Sequence, residues 1–467
     1  MGFTVAAIST PRAAGGISVI RISGEDALLV ASRVFKPLKP RTAVSDMAGY
    51  SCAYGIICDK IGDGIAEEIG ESGDRIDDGV LSVFRSPNSY TGEDVAEISC
   101  HGGIFVTERI LRLVLSCGAV PAGPGEFTKR AYLNGKVTLT GAEAVMDMIR
   151  AEGEMSRKSA SALMEGALFR RIKKISDALL ARLGELAAWA DYPDEDLPDL
   201  DTAELLTGLE KLSSELAALL LEYGDGKLIR EGIDTVICGK PNVGKSTFMN
   251  LLLGEQRCIV TDTAGTTRDI IEETVTLGDI ILRLSDTAGI RDTDNQAEAI
   301  GIEMAAKKIE TVALVLAIFD NSCPINEQDN KLIALCEGKR AVAIINKADK
   351  PALIDGDYIR QKFGEVITIS ALQKSGVSEL RGILERIFKG NDTPFEMGVI
   401  ANERQRLCAL NAKNSLDMAI NDFNSGVTLD AVTILIQEAL NSLYELTGEN
   451  AAEAVIDEVF SKFCVGK

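Results

Sequence analysis

Gly239-Lys-Pro-Asn-Val-Gly-Lys-Ser246 constrains this chain more than any other stretch of it. The run follows the apolar segment IDTVIC and precedes TFMNLLL, so it has to join a buried strand to a helix. In that setting the pattern GxxxxGK[ST] lets successive backbone N–H groups curl around a β-phosphate. Lys245 then reaches the β- and γ-oxygens and Ser246 offers its hydroxyl to Mg2+, with Asn242, Val243, Gly244 and Thr247 completing the cradle. Such a loop belongs to a mostly parallel sheet wrapped by helices. Residues 229–390 supply one: IILRLSD, VALVLAIF, AVAIIN and VITIS are further buried-strand runs, each followed by polar loop residues.

The motifs that follow read the rest of a nucleotide. Asp286-Thr287-Ala288-Gly289 comes after the strand IILRLS, where an acid holds Mg2+ through water and the Gly289 amide senses the γ-phosphate. Asn346-Lys347-Ala348-Asp349 ends AVAIIN. Asp349 can accept from both the N1–H and the N2 amine of guanine, donors that adenine lacks at those positions, so the motif selects GTP over ATP. Ser370 and Ala371, after VITIS, supply a backbone N–H for guanine O6. The segment TDTAGTTRD (261–269) stands where the first switch belongs, with Thr267 as the Mg2+ ligand. Ile290 follows the DTAG motif and cannot orient water as a glutamine does, so another group must position the nucleophile. Asn242, paired with the 261–269 loop, resembles the potassium-activated GTPases, in which a monovalent cation takes the place of an arginine finger.

Outside this block the hydrophobic period changes. Residues 1–133 read as short strands, TVAAIS (4–9), GISVIRISG (16–24), GVLSVFRS (79–86) and DVAEISC (94–100), with a Gly/Asp/Glu-rich loop over 59–79. A helix is expected after Gly102-Gly103 with Ile104, Ile110, Leu111 and Val114 facing inward, which makes an α+β domain. Residues 134–228 turn helical. Leu168, Ile172, Ile175, Leu179, Leu183 and Leu186 form one seam; Leu205, Leu209, Leu212, Leu216, Leu219 and Tyr223 form a second, which stops at Gly224 and Gly226. Helical spacing resumes over 391–467 with Leu416, Ile420 and Phe423, then Val432, Ile436, Leu440 and Leu443, then Val455, Val459 and Phe463. The economical arrangement is one helical domain with the α/β domain inserted into it.

Charge and composition exclude several classes. The 467 residues carry 49 Lys+Arg against 70 Asp+Glu, a net −21, so the chain does not hold phosphate backbones indiscriminately. A nucleic-acid partner needs a local basic patch or another subunit. No apolar run approaches the ~20 residues of a membrane span. The start, MGFTVAAISTPRAAGG, has no basic n-region before an apolar run, so a secretory leader is not expected, and Ala6 argues against a myristoyl signal. Ten cysteines occur without CxxC spacing and read as reduced thiols. A single histidine, His101, rules out a multi-histidine metal site.

Taken end to end, the sequence resembles the tRNA modification GTPase family called MnmE or TrmE. The resemblance rests on RISG (21–24), NSYTGEDVAEISCHGG (88–103), PGEFTKRAYLNGK (124–136), GKPNVGKS, TDTAGTTRD, DTAG, NKAD and FCVGK (463–467). It implies a multidomain α/β fold: an N-terminal α+β folate-binding domain, an α-helical domain, and an inserted Ras-like P-loop GTPase domain with a mostly parallel sheet. It further implies a cytoplasmic homodimer that pairs through the N-terminal domains and forms a heterotetramer with a flavin-dependent partner of the MnmG/GidA family. Together they would install an aminomethyl or carboxymethylaminomethyl group at C5 of the wobble uridine of certain tRNAs. The one-carbon unit would come from 5-formyl-tetrahydrofolate or a related folate.

Carried over to this chain, the folate contacts are Arg21, Glu97, Lys136 and Lys467. Potassium would be held by the Asn242 and Thr266 side chains and by the carbonyls of Thr261 and Thr263. Glu298 matches the acid that positions the attacking water, and Cys464 would present a thiolate to the folate pocket. Plainer readings stand beside these: Cys464 as inert packing, His101 as a turn-stabilising residue, Arg21 in a structural ion pair, Lys136 as a solvated lysine. Arg170-Arg171-Ile-Lys-Lys174 reads as a solvated helix face able to touch tRNA. A different class of function, a ribosome-assembly GTPase switch on rRNA, predicts a basic RNA-binding appendage after the G domain; the block found there is helical instead.

Overall fold

Alternation along ISVIRIS sets the first sheet, because successive side chains of a strand point to opposite faces. The computed structural model describes residues 2–39, 43–59, 74–191, 201–255, 272–278, 280–285, 308–389 and 398–467. Seven strands, β1 (Val5–Ile8), β2 (Ile17–Ser23), β3 (Phe35–Pro37), β4 (Ser51–Cys58), β5 (Arg75–Phe84), β6 (Val95–His101) and β7 (Val120–Pro121), lie in the order β3-β4-β5-β6-β2-β1-β7. All pairings are antiparallel except that of β1 with β7. Ile20 and Ile22 of β2 bury on one face with Leu81, Val83, Ala96 and Ile98, under residues of the helices Ala27–Ser32 and Ile104–Ser116. Arg21 and Glu97 fall on the opposite face, directly across from each other in the β2–β6 register.

Two expectations for this region change. The helix Ile104–Ser116 buries Thr107, Ile110, Leu113 and Val114, while Ile104 in its first turn is exposed. The loop expected over 59–79 is shorter, because Arg75–Gly79 already belong to β5. There Gly79, Asp78, Asp77 and Arg75 pair with Gly55, Ile56, Ile57 and Cys58 of β4, whose backbone groups would otherwise lack partners. Residues 60–73 lie outside the described residues.

By compactness the chain divides into Met1–Met146 with Asn441–Lys467, and Asp147–Leu440. In the first unit a small core joins Leu139, Ala142, Val145 and Met146 to Ile456, Val459, Phe460 and Phe463, which seats the helix Glu453–Ser461 and the FCVGK segment after it.

The second unit contains a six-stranded sheet, β8 (Ile233–Cys238), β9 (Glu272–Leu277), β10 (Ile280–Ser285), β11 (Leu314–Asp320), β12 (Ala341–Asn346) and β13 (Glu365–Thr368), in the order β13-β12-β11-β8-β10-β9. Only β9 runs antiparallel to its neighbour. β11 is buried at every residue, as a strand covered on both faces must be. The chain is therefore a multidomain α/β protein whose central sheet is mostly parallel.

The same unit holds the helices Ala167–Asp191, Thr202–Glu231 and Glu403–Asn424. The leucine and isoleucine seams of the first two are buried as the spacing requires. The second does not stop at Gly224 and Gly226. It continues to Glu231 and enters β8 through Gly232, and Leu228 in its last turns packs against the core of the sheet. That packing outweighs the ~1 kcal/mol that each glycine costs a helix. In Glu403–Asn424 the buried face is Gln405, Cys408, Ala409, Ala412, Leu416 and Ala419, so small residues, more than Ile420 and Phe423, line it. Ser213 and Asp417 tie the two helices by a hydrogen bond of 2.5 Å.

Candidate functional site

At the end of β8 the chain makes the turn that its glycines permit. Gly244 has φ +97, and a Cβ added there would lie 2.4 Å from Nδ2 of Asn346. Asn242, with φ +62, also adopts the left-handed conformation. The helix Lys245–Glu255 begins directly after this turn, so Ser246 and Thr247 sit exposed on its first turn, where helical N–H groups are free for an anion. Lys245 Nζ donates to the carbonyls of Gly239 at 2.8 Å and Lys240 at 3.0 Å. Burial holds its ammonium below the usual lysine range.

The base-reading motifs brace this loop. Asn346, 2% exposed, donates from Nδ2 to the Val243 carbonyl at 2.8 Å, and its Oδ1 accepts from the Ala371 N–H at 3.0 Å. Lys347 donates to the Asn242 carbonyl at 2.6 Å and to Asp320 at 2.5 Å. Asp349 accepts from the Ser370 hydroxyl at 2.5 Å, and that bond holds its carboxyl below the usual range, hence ionised and ready to accept from a base. The Ala371 amide is thus engaged within the protein, by the same asparagine that fixes the P-loop.

In the first unit a second constellation forms. Arg21 Nε donates to Glu97 Oε1 at 2.7 Å, and its guanidinium lies 5.5 Å from the Tyr90 ring centre and 5.4 Å from that of Phe127. Lys467 comes to the same place: burial first, and the charge of Arg21 second, hold its ammonium below the usual lysine range, with Glu97 pulling the other way. The FCVGK segment is fixed by its backbone. Val465 bridges Pro124, the Cys464 and Lys467 carbonyls accept from the N–H groups of Gly125 at 3.3 Å and Phe127 at 3.2 Å, and Ser9 donates to the Gly466 carbonyl at 2.9 Å. Gly125, with φ +63, has no room for a Cβ between Phe460 and Phe463.

The profile described as MnmE helical domain matches residues 139–464, and that described as GTP-binding protein TrmE N-terminus matches residues 4–136. The tRNA modification GTPase MnmE of Thermoanaerobacter pseudethanolicus is 39% identical over 467 residues, covering 99% of each chain. The protein of the same name from Lactobacillus johnsonii is 38% identical over 466 residues, covering 99% of this chain and 98% of that one. The chain belongs to the MnmE family of tRNA modification GTPases. It is a GTPase. Among solved structures, Era of Aquifex aeolicus is 25% identical over 39% of this chain and 66% of that chain, with a TM-score of 0.26.

For an MnmE-family chain, the structure brings Arg21, Glu97 and Lys467 together. It places Lys136 on the Pro87 carbonyl at 3.0 Å, and leaves the Cys464 side chain exposed. Arg21 faces away from the strand's apolar side and pairs with Glu97 at 2.7 Å, as its ion-pair reading expects. His101 is an exposed surface tie, bonded through Nδ1 to Asp77 at 2.7 Å, and that bond raises its pKa. Thr261, Thr263, Thr266, Thr267, Asp286, Thr287, Ala288, Gly289 and Glu298 lie outside the described residues. Sequence reasoning missed Tyr90, Phe127 and Arg130. Arg130 is 2% exposed, bonds Glu93 at 2.9 Å and Glu126 at 3.0 Å, and so ties the loop that carries Tyr90 to the helix that carries Phe127. The Glu126–Arg130 spacing of four within a helical run was the available signal.

Proposed function

We propose that the chain couples potassium-activated GTP hydrolysis to folate-dependent modification of a tRNA wobble uridine, as a cytoplasmic homodimer working with a flavin-dependent partner of the MnmG/GidA family. The name shared by its relatives, tRNA modification GTPase MnmE, supports tRNA as the substrate. No helix among the described residues is long and apolar enough to cross a membrane.

The observation that carries the folate half is the convergence of Arg21, Glu97 and Lys467 beside Tyr90. A carboxylate that can accept from ring N–H groups, two cations for oxyanions and an aromatic face suit a pterin with its acidic tail. When bound, a formyl-folate would supply the one-carbon unit. Arg21 is oriented by Glu97 through Nε, which leaves its terminal nitrogens able to donate. Titration of the full chain with 5-formyl-tetrahydrofolate by calorimetry should show saturable binding. Arg21→Ala should weaken it by about tenfold or more, the loss of a charge-assisted bond, with GTP turnover unchanged. No binding by the wild-type chain would reject this half.

On the nucleotide side, Lys245 exchanges the carbonyls of Gly239 and Lys240 for phosphate oxygens when GTP enters. Ser246 and Thr267, with Asp286 acting through water, would hold Mg2+. Asn242, Thr261, Thr263 and Thr266 would hold K+, which would supply the positive charge that an arginine finger brings elsewhere. Glu298 orients the attacking water. GTP turnover should be at least about tenfold faster in KCl than in NaCl at equal ionic strength. Glu298→Ala should abolish turnover while leaving GTP affinity intact. Equal rates in the two salts would remove the potassium site from the proposal.

A further inference from the structure

We infer that Lys240 and Asp329 form a positioning pair that fixes the first turn of the P-loop for nucleotide. Lys240 stands inside GKPNVGKS at a position that the pattern GxxxxGK[ST] leaves free, and Asp329 lies 89 residues further along the chain, outside every sequence motif described for it. Lys240 Nζ donates to Asp329 Oδ2 at 2.7 Å, with the two side chains only 12% and 2% exposed. The acceptor is itself held in place. Asp329 is the third residue of a reciprocal cap at the start of the helix Glu327–Cys336: its N–H donates to Asn326 Oδ1 at 3.1 Å, and its Oδ2 accepts the Asn326 N–H at 3.1 Å. Its other oxygen, Oδ1, is buried with no hydrogen-bond partner among the described residues. Lys240 is therefore the only charged partner recorded for a nearly buried carboxylate among those residues.

The same residue meets the nucleotide machinery through its backbone. The Lys240 carbonyl accepts from Lys245 Nζ at 3.0 Å. Lys240 thus links a rigid helix cap, through its side chain, to the phosphate-binding ammonium, through its main chain. Lys347 and Asn346, at the end of β12, hold the Asn242 and Val243 carbonyls further along the loop, so the loop is tied to two elements, the helix cap at its start and β12 beyond it. The Lys240 tie is the one at the loop's start. The far end of the helix is fixed as well, since Cys336 packs in one cluster with Cys238, the residue just before the loop. A loop held in its binding conformation loses less freedom when phosphate arrives. That predicts an effect on nucleotide affinity and little on the rate of a saturated enzyme.

The pair rests on the P-loop's binding nucleotide, and the test separates the two. Dissociation constants of a fluorescent GDP analogue would be measured with the full-length wild-type chain, Lys240→Ala, Asp329→Asn, the double variant and Lys240→Arg, alongside Tm and GTP turnover. Each single loss should raise Kd and KM about tenfold, with kcat at saturation within about twofold. The double variant should be no worse than either single one, because both remove the same interaction. Lys240→Arg should keep Kd within about threefold. If Lys240→Ala fails to fold, Asp329→Asn, which preserves volume and cap geometry, decides the matter. Kd values within twofold of wild type with a lowered Tm would make the pair merely structural and overturn the inference, as would single effects that multiply in the double variant. No binding by the wild-type chain would reject the nucleotide loop itself, and the pair with it.

Discussion

In the P-loop the groups that would meet a ligand come from consecutive residues, Gly239 to Ser246, and most of them are backbone amides. Around Arg21 they come from β2, β6, the loop that carries Tyr90 and a segment at residue 467, and they are side chains. A site made of backbone depends on conformation, so it tolerates many side chains but not a Cβ in the wrong place. A site made of side chains drawn together over long sequence distances depends on each donor and on whatever docks the distant piece. The two should therefore fail under different substitutions.

The largest effect is expected at Gly244. Gly244→Ala forces an L-residue into φ +97 with its Cβ against Asn346, and should weaken GTP binding by roughly 100-fold in a fluorescence titration. Affinity within threefold of wild type would break the claim that this site is made of backbone. Next is removal of residues 464–467, which takes away Lys467 and the backbone bonds to Gly125, Phe127 and Ser9. Folate binding should fall by roughly 30-fold or more while GTP turnover stays unchanged; unchanged folate binding would show that the distant piece is dispensable.

The smallest effect sharpens the comparison within the nucleotide site, at its one side-chain-built corner. The Ser370 hydroxyl holds the Asp349 carboxyl low, so its ionised form, the one that would accept from guanine, persists as pH falls through the usual carboxylate range. In Ser370→Ala the acid loss of GTP affinity should move up toward that range, a two- to fivefold deficit at about pH 4 that vanishes near neutrality. Superimposable pH profiles would show that Ser370 does not set this carboxyl.

Legibility followed the same division. The P-loop, NKAD and the strands between them could be read because contiguous backbone chemistry leaves contiguous residue signatures. Arg21 and Glu97 could be named only by resemblance; their direct cross-strand pairing depends on a register that no local pattern states. Tyr90, Phe127 and buried Arg130 were missed for that reason. Lys240 was hidden at a position the motif leaves open, with its partner on another helix. The helical errors have a different origin. Gly224 and Gly226 carry a local preference against helix that packing of Leu228 overrides, and Ala409, Ala412 and Ala419 fill a helix interface that a search for large apolar residues passes over.

The helix Thr202–Glu231 runs unbroken into β8, the strand that ends at the P-loop, with Gly232 as the only residue between them. Its 30 residues make a rod of roughly 45 Å. Joined so closely to the nucleotide strand, such a rod is a lever arm. A tilt of about 5° at the strand end would displace its Asp201 end by roughly 4 Å. By this geometry a rotation of a few degrees where the helix meets β8 becomes a displacement of several ångströms at Asp201.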